Sequence, residues 1–282
     1  MSDPILDQPP AVPEIPRLSP SIAKILIARS PKHAWQAHRL LGGGDGDADS
    51  TRAQDTGKIL EALVFGAGMD AFVVLPFDSF RTKDAQAARD EAKAAGKTPV
   101  LASDLETFAS GARIIRDRIA DYGIEFLGGE YQKLIEWTCP ATDANCKGYL
   151  DYYQDGVIFD LKTTADASPR KVQRSFVDLG NDLQGEAYRD GIETIFPDLV
   201  GRSRMVFIYA ETEAPWVVQL YEAGGMMRDL GANKWHRAKE LWTYSLKNDY
   251  WPSYFSGIGQ LDPLPWQMDF ESEVETKEIP NV

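Results

Sequence analysis

Between Lys147 and Thr164 the chain reads KGYLDYYQDGVIFDLKTT, two apolar and aromatic runs on either side of the dipeptide Asp155-Gly156. Asp-Gly between such runs signals a β-hairpin with a two-residue turn. With those two residues at the centre of the turn, Gln154 opposes Val157, Tyr152 opposes Phe159, and Asp151 opposes Asp160. Side chains alternate along a strand, so Asp160 and Lys162 share one face while Leu150, Tyr152, Phe159 and Leu161 line the other. The expectation is one core face and one chemical face.

The same pattern predicts the remaining elements. FVVLP, the segment from Tyr131 to Thr138, SRMVFIYAE and PWVVQLYE read as strands. Ser19-Pro20 and Ser30-Pro31 each pair an N-cap with a proline at the first helical position, which predicts two short successive helices. Ser50 or Thr51 opens a helix carrying Glu61, and Thr82 to Ala95 forms an alanine-rich helix ended by Gly96. Ser103 with Glu106 has the spacing of a capping box for a helix reaching about Tyr122. Asn181 is the expected cap of the segment NDLQGEAYRDG, and Gly225 to Leu246 is amphipathic, with Trp235 and Trp242 as core or subunit contacts. Strands mixed with helices predict an α/β fold, a mixed central β-sheet flanked by helices, with the hairpin at its edge.

Composition changes this picture mainly at the ends. Residues 1–18 are proline-rich and aperiodic and are expected to be disordered, 19–260 form the folded domain, and 261–282 are an acidic, flexible tail. No apolar run approaches the roughly 20 residues that cross a bilayer, and the N-terminus lacks a basic start and an apolar signal core, so no membrane association and a cytoplasmic location are expected. Two cysteines, Cys139 and Cys146, cannot supply the four thiolates of an iron–sulfur cluster and read as free thiols. Net charge is −13; segments 269–282 and 1–18 carry −4 and −2 of it, which leaves −7 on the remainder. That balance argues against nucleic-acid binding, which rests on basic surface, although carboxylates gathered at a metal site would account for part of it.

Two opposed aspartates are the candidate chemistry. Directly opposed positions hold like charges about 4.5–5.5 Å apart, which destabilises the pair unless a cation intervenes. Paired carboxylates suit a hard, oxygen-seeking cation such as Mg2+ or Mn2+, and Lys162 beside it could orient water or compensate charge. Relief of that repulsion predicts that Asp160→Ala leaves the metal-free fold intact. Gln184 and Tyr188 lie four apart and project from one helix face. Lys24, Arg29, Lys32, His33 and Arg39 form either a backbone-binding patch or a solvated helix face. Glu61 is either a third carboxylate of the site or a solvent-facing residue.

Gly148-x-x-Asp151 followed by Asp160-Leu161-Lys162 resembles the core of the PD-(D/E)xK nuclease superfamily, and Gln184-x-x-x-Tyr188 resembles the motif of its RecB-like branch. LSPSIAKILIARSPKHA, TGKILEALVFG and Arg81-Thr82-Lys83 are similar to segments of RecE-type exodeoxyribonuclease VIII, in the same order, from about Leu18 to Pro252. Where relatives often carry histidine in the first catalytic helix, this chain has Glu61. The resemblance implies a restriction-endonuclease-like core and a magnesium-dependent (or manganese-dependent) exonuclease that resects linear double-stranded DNA ends 5′ to 3′ for a single-strand annealing recombinase. It implies metal binding by Glu61, Asp151, Asp160 and the Leu161 carbonyl, with Lys162, Gln184 and Tyr188 completing the catalytic group. Arg81, Lys83, Lys32 and His33 would be DNA contacts, and a homo-oligomer is implied. A single-strand exonuclease or endonuclease of the same fold, a non-catalytic binding relative, and an acidic DNA mimic are the alternatives.

Overall fold

A computed structural model describes residues 14–44 and 51–268. Its centre is a five-stranded sheet in the order β3-β4-β5-β6-β7, formed by β3 (Glu130–Thr138), β4 (Asn145–Gln154), β5 (Val157–Thr164), β6 (Arg204–Glu211) and β7 (Val218–Tyr221). β5 and β6 run parallel and the other neighbours antiparallel. The hairpin forms as its turn dictates: Asp155 and Gly156 both adopt positive φ, at 51° and 80°, and Gln154 pairs with Val157. The hairpin is not at the edge, however. β5 is the middle strand, because the continuous apolar run of β6 needs burial on both faces and takes up the free side of β5.

Helices cover both faces. On one lie α1 (Pro20–Ala28), α7 (Asn181–Ile195) and α8 (Gly225–Asn248), packed on Ile135, Trp137, Leu150, Ile158 and Phe207. On the other lie α3 (Arg52–Phe65) and α5 (Ala102–Ala120), packed on Tyr152, Phe159, Leu161 and Ile208. Between α1 and α3 comes the short α2 (Pro31–Ala37). A separate two-stranded parallel sheet, β1 (Phe72–Leu75) and β2 (Thr98–Leu101), is joined by α4 (Lys83–Ala94). Thr51, one of the two openings the sequence offers, caps α3, and it does so in a reciprocal capping box with Gln54. The cap of α5 is Leu101 rather than Ser103, and that of α7 is Gly180, with φ of 65°, so Asn181 becomes its first residue.

Trp235 and Trp242 are core residues, and both cysteines are buried free thiols. Residues 1–13 and 269–282, where most of the expected disorder falls, lie outside the described residues. Leu18 is fully buried: its N–H donates to the Asn145 carbonyl at 2.8 Å, and its own carbonyl accepts from the Lys147 N–H at 3.0 Å. The ordered chain therefore begins before Ser19. No described helix is long and apolar enough to cross a membrane.

Candidate active site

Strand β5 carries Asp160 and Lys162 toward α7, and both faces of the strand are covered rather than one. Asp160 is only 1% exposed. Its Oδ1 accepts a hydrogen bond from Gln184 Nε2 at 2.8 Å. Its Oδ2 forms an ion pair with Lys162 Nζ at 2.5 Å and has no other partner. Gln184 also donates to the Tyr188 hydroxyl at 3.3 Å, so the i, i+4 pair read from the sequence meets the strand motif in one cluster.

Asp151 arrives from β4 at an irregularity. The ladder pairs Tyr131 with Tyr152 and Lys133 with Leu150 but leaves Gln132 and Asp151 out, and Gln132 has φ of 46°. This kink breaks the period of two: Leu150 and Tyr152 fall into cores on opposite faces of the sheet, not on the shared face that alternation predicts. The β4–β5 ladder likewise stops at Tyr152 and Phe159, one position before the predicted pairing of Asp151 with Asp160. Beyond it Asp151 Oδ2 accepts the Leu161 N–H at 3.0 Å, a side chain standing in for a strand carbonyl.

Glu61, on α3, completes the group from the opposite layer and accepts a hydrogen bond from Gln132 Nε2. Burial raises its pKa, and repulsion from Asp160 adds to that against the Gln132 bond. Asp151 is held well above the usual carboxylate range by burial and then by Asp160 and Glu61. Burial works against the Lys162 ammonium, but the fields of Asp160 and Asp151 outweigh it and raise its pKa. Burial, then Asp160 and Asp151, keep Tyr188 a neutral phenol.

Two members of the cluster were not picked out from sequence. Lys24 on α1 donates to Gln184 Oε1 at 2.8 Å, and Lys162 reaches the same oxygen at 3.3 Å. Its place in a run of basic residues identified it only as one cation among five. Gln132 carried no signal at all, since its role comes from a backbone kink. The residues expected to contact DNA make other interactions: Lys32 lies over the Trp35 ring, His33 bonds to Ser30, and Arg81 lines a cavity of about 550 Å3 with Arg52 and Arg89. Lys83 begins α4.

The carboxylates of Glu61, Asp151 and Asp160 suit a hard cation in kind, and the buried Asp160 Oδ2 has no partner but Lys162. Among the described residues no three His, Cys, Asp or Glu side chains close into a ligand set, and Lys162 takes the position beside Oδ2.

Residues 47–261 match the family described as a PDDEXK-like domain of unknown function (DUF3799). No curated protein matches the chain. Among solved structures, the "putative exonuclease" of Eubacterium rectale aligns over 93% of this chain and 94% of its own, with a TM-score of 0.53 and 16% identity. A phage related exonuclease from Haemophilus somnus 129PT aligns over 83% and 96%, with a TM-score of 0.36 and 10% identity. The first shares the fold, and the family match spans most of the chain, including Glu61 and the whole Asp151, Asp160, Lys162, Gln184 and Tyr188 cluster. The chain belongs to the PDDEXK-like domain family, within the PD-(D/E)xK nuclease superfamily.

Proposed function

We propose that the protein is a divalent-metal-dependent nuclease that digests linear double-stranded DNA from its ends, 5′ to 3′, and leaves a single strand for an annealing partner. The observation that carries the hydrolytic part is the buried Asp160 carboxylate, with one oxygen held by Gln184 and the other paired with Lys162 alone. The exonucleolytic polarity and the annealing partner rest on the resemblance of the N-terminal segments to RecE-type exonucleases.

Asp151, Asp160, Glu61 and the Leu161 carbonyl would hold the metal. A magnesium or manganese ion held by these residues would supply positive charge to polarise the phosphoryl oxygen and make water more acidic. Lys162, kept as an ammonium by the two aspartates, is a donor and not a base as it stands. It orients the attacking water and stabilises negative charge growing on the phosphate oxygens. Gln184 fixes Asp160 through one oxygen so that the other keeps its direction, and Tyr188 buttresses that amide.

The test is release of label from linear duplexes tagged separately at the 5′ and 3′ ends, with and without magnesium, for wild type and Asp160→Asn. Magnesium-dependent release from the 5′ end that the variant lacks supports the reading in full. Cleavage of circular DNA would make the protein an endonuclease, and cleavage of single strands alone would remove the resection role. No cleavage of any of these would leave a binding protein with this fold.

A further inference from the structure

Helix α1 lays Lys24 across the start of α7. Its stem passes over Gly180, where a β-carbon would stand 2.9 Å from Lys24 Cγ, and its Nζ reaches Gln184 Oε1 at 2.8 Å. Lys162 Nζ approaches that oxygen too, at 3.3 Å, so two ammonium groups converge on one amide carbonyl. One donor is enough to fix the orientation of an amide. Lys24 is therefore more than the Gln184–Asp160 arrangement needs.

Lys24 also lacks a counter-ion. Asp160 Oδ2 is engaged by Lys162, and Asp182 Oδ2 by Lys234 at 2.6 Å, and among the described residues Lys24 forms no ion pair with a carboxylate. Burial, then repulsion from Lys162, push its pKa down to about 8, against the pull of Asp160 and Asp182. An ammonium has three protons to donate, and Gln184 takes one. A half-buried cation beside the reaction centre, with protons to spare and no paired anion, is suited to an anion that arrives with the substrate.

We propose that Lys24 binds a backbone phosphate of the DNA substrate beside the Asp160–Lys162 pair, an inference that rests on the nuclease reading above. The competing role is structural: in it Lys24 serves only to tie α1 to Gln184 and so to α7. The two differ in salt dependence, because each phosphate neutralised by a protein cation releases counterions.

The experiment measures binding of a short fluorescein-labelled DNA duplex to the full chain by anisotropy, in EDTA, over a range of salt concentrations. Lys24→Gln removes the charge and keeps a donor for Gln184, and Lys24→Arg keeps the charge. The slope of log K against log salt should become shallower by about 0.9 for Lys24→Gln and stay at the wild-type value for Lys24→Arg. Should the glutamine variant fold poorly, Lys24→Met keeps the apolar stem over Gly180 and should show the same loss. An unchanged slope in a folded neutral variant overturns the proposal while leaving the nuclease reading in place. Absence of DNA binding by the wild type at low salt overturns both.

Discussion

Gly148 leaves room for the ring of Tyr188: a β-carbon at position 148 would stand 2.8 Å from Tyr188 Cε1. The glycine three residues before Asp151 thus has a packing cause, since β4 passes directly beneath α7 and only a residue without a side chain lets the tyrosine hydroxyl stay 3.3 Å from Gln184. Gly148→Ala should displace that ring, at an overpacking cost of about 1–3 kcal/mol, and lower kcat by loosening Gln184. Thermal melting and DNA cleavage measured together check this. A variant with unchanged kcat would show that Tyr188 does not support the site.

Asp160 should be needed for stability as well as for chemistry, contrary to the expectation that relief of opposed charges leaves the fold intact. The reason is that Asp160, besides repelling Asp151, is paired with Lys162 and accepts from Gln184, and both partners would be stranded. Asp160→Ala strands a largely buried ammonium and an amide donor, at a cost of about 3 kcal/mol, the usual scale for breaking a buried pair. Asp160→Asn keeps an acceptor for Gln184 and should lose less. Urea unfolding of both variants measures the difference, and equal stability of Asp160→Ala and wild type would contradict the packing described.

The parts of this arrangement that were legible in the sequence are those fixed by neighbours in the chain. Asp155-Gly156 sets the hairpin register locally, and four-residue spacing alone puts Gln184 and Tyr188 on one helix face. The parts that were not legible depend on distant segments. Period two says nothing of the kink at Gln132 that sends Tyr152 into the opposite core from Leu150, and nothing of α7 closing over Asp160. Strand β2 escaped notice because Pro99 breaks the usual strand signal, yet it pairs in parallel with Val73 in a short separate sheet. Lys24 reaches the site only because α1 crosses α7, which no local pattern encodes.

Without metal, the carboxylate group should make stability fall with rising pH. Burial, then Asp160 and Glu61, raise the Asp151 pKa, and burial first raises that of Glu61. For each group the folded value lies above the unfolded one, so the native state binds more protons between the two values. Stability from this source is highest below the ordinary carboxylate range, about pH 4, and declines as pH climbs toward the raised folded values. Asp151→Asn, which keeps an acceptor for the Leu161 N–H, removes the charge. In EDTA its melting temperature should gain on wild type between acid and neutral pH. A difference independent of pH would mean that Asp151 is not held in a repulsive field.

Asp190 offers a test of whether stability and chemistry separate along a single helix. On α7, further along than Gln184, its Oδ2 accepts from Trp137 Nε1 at 3.1 Å, Trp235 Nε1 at 2.9 Å and Lys239 Nζ at 3.0 Å. One carboxylate oxygen thereby joins β3, α7 and α8, while Gln184 joins α7 to β5 and α1. Asp190→Ala leaves the Trp137 and Trp235 N–H groups without an acceptor and the Lys239 ammonium without its carboxylate, and should cost about 3 kcal/mol or more; Lys239 keeps the Cys139 sulfur and the Trp235 ring, 5.6 Å away, as partial compensation. Its activity per folded molecule should stay at the wild-type level, because none of those donors touches Asp160, Lys162 or Gln184. Gln184→Leu should instead lose DNA cleavage even per folded molecule, because it removes the amide that fixes Asp160 Oδ1; it also strands that oxygen and the Lys24 ammonium, so it should be destabilised as well. Denaturant curves and cleavage rates for the pair decide the point, and a matching fall of activity in Asp190→Ala at full folding would mean that the far end of α7 also sets the geometry of the site.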